Sequence, residues 1–331
     1  MPEATLAAGL RALARPWRRQ RHDSLLAAAD WEELGQALAR RRVGPGPAAP
    51  ARQRNPGEGP SPLRGRGLDY AQSRAYQSGD DLRAMHWSLL ARTGRPYVRV
   101  YEEEHAAPWH VLVDAHASML FGTRVRTKAT QAARAAVLAA GLQAALSPQS
   151  RLGCSLWSPQ GLRARDFGTG FAAVRRIAQW LMQQRIEPPP APAAPAVESL
   201  RDLRAWARRL ALHRPVPTRL LVCSDLAWLD AAARSALWPL AARAELHALR
   251  IVDAVELALP ELPAAHFLDA ASGRAGWLEG GAGMRQEFAR AAERRRRQQA
   301  VELRALRAAV AQAGAADTAS ELGAALAGLP R

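Results

Sequence analysis

Lysine is almost missing from this chain. Of its 46 basic residues only Lys128 is a lysine, and the rest are arginine. Isoleucine occurs three times and asparagine once, at Asn55. Beside abundant Ala, Arg, Gly and Pro, this is the pattern of GC-rich codon usage, so part of the arginine excess is genomic habit rather than ligand chemistry. Cysteine is nearly as scarce. Cys154 and Cys223 sit in the apolar runs LGCSLW and LLVCSD. They lack disulfide or metal spacing, which excludes a disulfide scaffold and reads as two inert core thiols. Cysteine poverty fits a reducing compartment. No apolar stretch approaches the ~18 uncharged residues of a membrane span. The N-terminal arginines follow a short Ala/Leu run instead of preceding it, so the order of a secretory signal is absent and a cytoplasmic location is expected. Also missing are a Walker loop, a G-x-S-x-G elbow and a complete G-x-G-x-x-G; the GRG at 65–67 lacks the third glycine.

What is present is a globular composition: 331 residues, 48% apolar and 23% charged. That is one large domain or two ordinary ones. The formal net charge is +16 and the isoelectric point is near 11.3. Nucleic acid or an anionic surface is the first partner such a balance brings to mind. The charge is uneven, however. Residues 67–105 are near neutral, with five arginines and six acids. The excess lies on the N-terminal arm, on the helices after Ser118 and on the last helices. The run ERRRRQQ at 293–299 could track a phosphate backbone, although a solvated basic helix face is the more frequent outcome.

Residues 1–43 read as two helices, the second near Trp31 to Arg42, and the Pro/Gly-rich stretch 44–62 reads as a linker. Residues 63–105 form a polar segment ending in the extended run RPYVRVYEEE. Beyond it, short apolar runs alternate with helical patterns, with a second Pro-rich linker at 188–195. A hairpin is expected within HFLDAASGRAGWLE, and a long helix from Met284 to Gln312. Three regions result: 1–62, a helical arm and linker; 63–105; and 106–331, an α/β domain with a doubly wound, mostly parallel sheet. Two strands end in loops that combine an acid with a hydroxyl, VLVDAHAS and LLVCSD. In open α/β sheets the ligand site lies at such carboxyl ends. Asp114, Ser118, Ser224 and Asp225 are hard oxygen donors suited to Mg²⁺. The same residues are equally good helix N-caps.

The segment GRGLDYAQSRAYQSGDDLRAMHWSLLARTGRPYVRVYEEE resembles the signature of the bacterial domain-of-unknown-function 58 family. The matching residues are Gly67, Tyr70, Arg74, Tyr76, Gly79, Asp80, Asp81, Arg83, Trp87, Ala91, Arg92 and Glu104. The match continues through DAHASMLFG, Lys128, LLVCSD and VDAVELALPEL, over about residues 60–280. The resemblance implies a von Willebrand factor A-like fold with a metal-ion-dependent adhesion site, Asp-x-Ser-x-Ser plus a later Thr and Asp. Asp114 and Ser118 match the first and last of these positions, Asp225 the later Asp, and Thr169 falls near the Thr. Two residues depart from the pattern. His116 stands where the first Ser is expected, and His86 where an Asp usually precedes Trp87. Imidazole is a poor Mg²⁺ ligand and favours Zn²⁺ or other transition metals. The site is therefore expected to bind a divalent metal weakly or not at all. Arg74, Asp80, Asp81, Arg83 and Arg92 could form an ion-pair network holding the 67–105 segment, or a partner-binding face.

By that resemblance, relatives are expected to be encoded beside MoxR-type AAA+ ATPases and to act with them. The resemblance thus implies a non-enzymatic adaptor acting with such an ATPase on a client protein. A basic nucleic-acid-binding protein is the alternative. Enzyme chemistry is disfavoured, because the Asp, His and Ser of DAHAS are too close in sequence to converge as a triad.

Overall fold

The computed structural model of the chain describes residues 24–43, 69–77, 85–102, 108–185, 196–212, 219–261, 264–268, 275–279 and 281–330. The predicted first helix and both Pro-rich linkers lie outside them. The chain divides into two compact units, residues 1–44 with 107–331, and residues 45–106. This division differs from the one read from sequence, because the predicted arm helix, α1 (Ala28–Val43), belongs to the larger unit.

The smaller unit contains an antiparallel pair, β1 (Asp69–Ala75) and β2 (Tyr97–Glu102), and between them in sequence α2 (Trp87–Thr93). Gly94 ends α2 in the left-handed conformation, φ 68°, and its N–H reaches the Leu90 carbonyl. A glycine takes that backbone at no steric cost.

The larger unit is built on a six-stranded sheet. In chain order its elements are β3 (Trp109–Asp114), α3 (Lys128–Leu146), β4 (Arg151–Ser158), β5 (Gly161–Thr169), α4 (Gly170–Met182), α5 (Ala196–Leu212), β6 (Arg219–Ser224), α6 (Ala231–Ala241), β7 (Glu245–Val252), α7 (Ala254–Leu257), the hairpin β8 (Ala264–Leu268) and β9 (Ala275–Glu279), α8 (Ala282–Ala305), β10 (Ala309–Gly314) and α9 (Ala319–Ala327). The strand order is β10-β7-β6-β3-β4-β5. All pairings are parallel except β4 with β5. This is a mixed α/β fold with a mostly parallel sheet flanked by helices, as the strand–helix alternation predicts. Buried runs such as Val111–Val113 and Leu220–Cys223 form the central strands because helices cover both faces. One core joins the sheet to α1, α3, α4 and α9; the other joins it to α5, α6 and α8. Cys154 and Cys223 are free and buried, and burial pushes both thiols up.

The last helical stretch differs from expectation. The helix stops at Ala305, Arg307 takes a positive φ of 55°, and residues 309–314 form the edge strand β10. Alanine-rich AVAQAG favours helix by intrinsic propensity, but the open edge of β7 supplies backbone hydrogen bonds that override it.

Charge fixes α1 to this framework. Arg134, wholly buried in α3, bonds Asp30 at 2.6 Å and Glu33 at 2.9 Å. Glu33 also accepts the Ala319 N–H at the start of α9, at 2.9 Å. A Cβ at Gly141 would lie 2.6 Å from the Leu38 side chain, so α1 packs close against α3 there. The hydrogen bond from Arg134 outweighs burial and holds the Glu33 carboxyl down at about 2, against 4.5 for a free group. Because the folded value lies below the unfolded one, this contribution is complete above about pH 4.5 and is lost as pH falls toward 2. Arg134→Met is expected to destabilise the protein by about 3 kcal/mol at neutral pH, since it leaves two carboxylates without their cation. Urea unfolding checks this, and the deficit against wild type should shrink in acid.

Candidate functional site

The sheet reverses its winding at β3. From β3 the chain passes to β4 and β5 on one side, then crosses to β6, β7 and β10 on the other. The carboxyl ends of β3 and β6 therefore flank the switch point, where open sheets leave a crevice. Asp114 ends β3, and Ser224 ends β6 with Asp225 following.

Asp114 is fully buried and accepts four hydrogen bonds. Its Oδ1 takes the His116 backbone N–H at 3.0 Å and the His116 Nδ1–H at 2.8 Å. Its Oδ2 takes the Ser224 hydroxyl at 2.6 Å and the Trp228 indole N–H at 2.9 Å. Burial alone would raise its pKa, but the bonds from His116 and Ser224 prevail and hold the carboxyl below the usual range. The Ser224 oxygen also accepts the Leu226 N–H at 2.8 Å. That bond pins Leu226 in a left-handed backbone, φ 60°, a conformation that costs a non-glycine residue of order 1 kcal/mol or more. Three rings pack edge to face over this network: His116 on Trp157 with centroids 4.5 Å apart, and Trp157 on Trp228 at 4.8 Å.

Asp225 belongs to a second network, built around the single lysine. Lys128 opens α3 and is wholly buried. Its ammonium lies 2.7 Å from Asp225 Oδ2 and 2.5 Å from Glu256 Oε1. Burial would lower its pKa, but the two carboxylates more than compensate and raise it. The other Asp225 oxygen takes the Ala227 N–H, and the Asp225 N–H points to the Met119 sulfur. Glu256 in turn accepts the Asp253 N–H through Oε2, as part of the capping box that starts α7. Asp253, just after β7, accepts the Thr123 N–H and hydroxyl at 2.9 and 2.6 Å. Acids thus stand at the ends of three adjacent strands, and each is engaged by donors of the protein itself.

These donors do not fit a divalent cation. Asp114 presents both oxygens to N–H and O–H groups, and Asp225 is paired with an ammonium. Thr169 is not with them. It pairs with Arg151, the first residue of β4, whereas Asp114 pairs with Trp157. Six residues of strand, about 20 Å, separate the two levels, because antiparallel β5 carries its last residue to the opposite edge of the sheet. Ser118 lies half-buried in the 3₁₀ turn Ala117–Leu120. Among the described residues no group of three His, Cys, Asp or Glu side chains could hold a metal.

In the smaller unit, His86 caps α2. Its Nδ1 accepts the Leu89 N–H at 3.2 Å and lies 3.1 Å from the Ser88 hydroxyl. A good N-cap acceptor is what Asp would supply at this position, so the departure His86 keeps the cap. Tyr76 donates its N–H to the Pro96 carbonyl. Trp87 and Arg92 are exposed. Asp80, Asp81, Arg83 and Glu104 lie outside the described residues, as does the Arg74 side chain.

Sequence reasoning missed Trp157, Trp228, Asp253 and Glu256. The last two carried a signal, since VDAVE is a third apolar strand followed by an acid and a D-x-x-E capping box. The tryptophans carried none.

Fold and site together define a mixed α/β protein with an acid-tipped sheet edge closed by its own hydrogen bonds. The chain belongs to the family described as Protein of unknown function DUF58, whose model matches residues 72–298. It is 30% identical to uncharacterized proteins of Mycobacterium bovis and Mycobacterium tuberculosis over 236 residues, 70% of this chain and 69% of theirs. Two solved structures are distantly similar. One is a conserved hypothetical protein, BatB, from Bacteroides thetaiotaomicron (12% identity, TM-score 0.38, 67% of this chain and 99% of that one). The other is an aerotolerance-related membrane protein from Bacteroides fragilis (13%, 0.37, 67% and 97%). Among the described residues no helix is long and apolar enough to cross a membrane.

Asp114→Asn keeps the volume but leaves the Ser224 hydroxyl or the His116 donors without an acceptor. It is expected to destabilise the protein by about 1–3 kcal/mol, seen as a lower urea midpoint with an unchanged slope.

Proposed function

We propose that the protein is a non-enzymatic interaction module of von Willebrand factor A type, a cytoplasmic adaptor that meets a MoxR-type AAA+ ATPase at the carboxyl edge of its sheet. One observation carries this reading: the cation at the strand ends is the Lys128 ammonium, held by Asp225 and Glu256. A buried cluster that supplies its own cation shapes a surface without a metal ion between its acids. Asp114 is unsuited to act as a base, because four donors occupy its oxygens. His116, Ser118 and Glu256 are each partly exposed, and a partner could meet them while their internal bonds persist. The nucleic-acid alternative rests on the run at 293–299. There, Arg296 and Arg297 are paired with Glu293 in the same helix, which weakens it.

Two measurements test the proposal. Calorimetric titration of Mg²⁺, Mn²⁺ or Zn²⁺ into the wild-type protein is expected to show no uptake; a stoichiometric isotherm lost in Asp114→Ala would restore the metal. A MoxR-type ATPase encoded beside a gene of this family is expected to co-elute with the protein in the absence of divalent ions. Ser118→Arg, which breaks none of the ion pairs, should weaken that complex at least about tenfold, or 1.4 kcal/mol. Failure to co-elute, or a complex indifferent to Ser118→Arg, overturns the strand-edge reading.

A further inference from the structure

On one face of the sheet, the helices α5, α6 and α8 share a core and turn two rows of arginine outward. On α8 the buried positions Gln299, Glu302 and Leu303 fix one side. Opposite them at helical spacing run Arg290, Arg294, Arg297, Val301 and Arg304, all exposed. On α5 the buried Leu203, Trp206 and Ala207 leave Arg201, Arg204 and Arg208 pointing outward, with Leu212 exposed at the end of the row. Among the described residues no ion pair engages Arg201, Arg204, Arg208, Arg290, Arg294 or Arg304. Between the two helices lies α6, which shares one core with both and is tied to α8 by the Arg234–Glu302 bond at 2.9 Å. Its outward residues are small, Ala231, Ala232 and Ser235, except for Trp238, which is 51% exposed.

Neighbouring helix axes lie about 8–10 Å apart, so the two arginine rows stand roughly 20 Å from each other. The α8 row extends about 21 Å from Arg290 to Arg304 at 1.5 Å per residue. A helix with its side chains is about 10–12 Å across and would lie over the small residues of α6 with a row of guanidinium groups on either side. Trp238, Leu212 and Val301 supply apolar contact, and Trp and Arg together are the residues that dominate protein interfaces. A groove-reading nucleic-acid element must project as a single helix or ribbon, whereas α6 is flanked on both sides at its own level.

We propose that the outward face of α5, α6 and α8 docks an acidic amphipathic helix of a partner protein, its carboxylates on the two arginine rows and its apolar stripe on Trp238. The surface is a helical face rather than the strand edge, so it stands or falls independently of the function proposed above.

The test is fluorescence anisotropy at physiological ionic strength, using a labelled amphipathic peptide of Glu and Leu about as long as α8. The wild-type protein is expected to bind it. The double variant Arg204→Glu/Arg294→Glu should lose at least about tenfold in affinity, and Trp238→Ala several-fold, with melting temperatures unchanged. Arg175→Glu, at an exposed position of α4 on the other face of the sheet, serves as the control and should bind like wild type. Wild-type affinity in the double variant or in Trp238→Ala overturns the proposal. So does random-sequence duplex DNA that binds more tightly than the peptide and is lost in the same double variant.

Discussion

A primary ammonium with no access to water is costly to bury, and the protein carries one at the first position of its most enclosed helix. Lys128 is tolerated there only because Asp225 and Glu256 stand on either side of it. Each of those acids has its remaining oxygen on a backbone N–H. The lysine thereby ties the start of α3 to the loop after β6 and to the capping box after β7. Those loops, with the one after β3, define the upper edge of the sheet. The ammonium meets the two carboxylates as a compact charge at 2.7 and 2.5 Å, whereas the buried Arg134 reaches its own two carboxylates through one nitrogen of a planar fork.

At the neighbouring strand end the Asp114 network works by a different principle. It contains no ion pair that a buried arginine or lysine would make, only a carboxylate satisfied by four short donors and roofed by aromatic rings. The two networks sit on adjacent strands and share the β6 end, where Ser224 serves one and Asp225 the other. Consecutive residues at a strand end point to opposite faces, which lets one short segment serve both.

Much of the fold was legible in the sequence, because helices and strands of the larger unit alternate cleanly in hydrophobic pattern. The exception was β10, whose Ala-rich run carries helical propensity and becomes a strand only through pairing with β7. The site was legible in part. Asp114, Asp225 and Lys128 stand out by type and position, and their loops do converge. What the sequence does not encode locally is which partner each acid takes. The Lys128–Asp225 pair spans 97 residues and the Asp114–Trp228 bond 114. Thr169 was misplaced because its position depends on the direction of β5, and nothing in FGTGF distinguishes a parallel from an antiparallel edge strand.

The Glu33 carboxylate has a consequence for how the chain comes together in time. One of its oxygens receives the buried guanidinium of α3 and the other an N–H from residue 319, which is 286 positions later. During synthesis α1 emerges early, yet its anchoring acid has no complete set of partners until the final helix has left the ribosome. The arginine at 134 is synthesised well before residue 319, so the arrangement around Glu33 is complete only once both ends of the larger unit are in place.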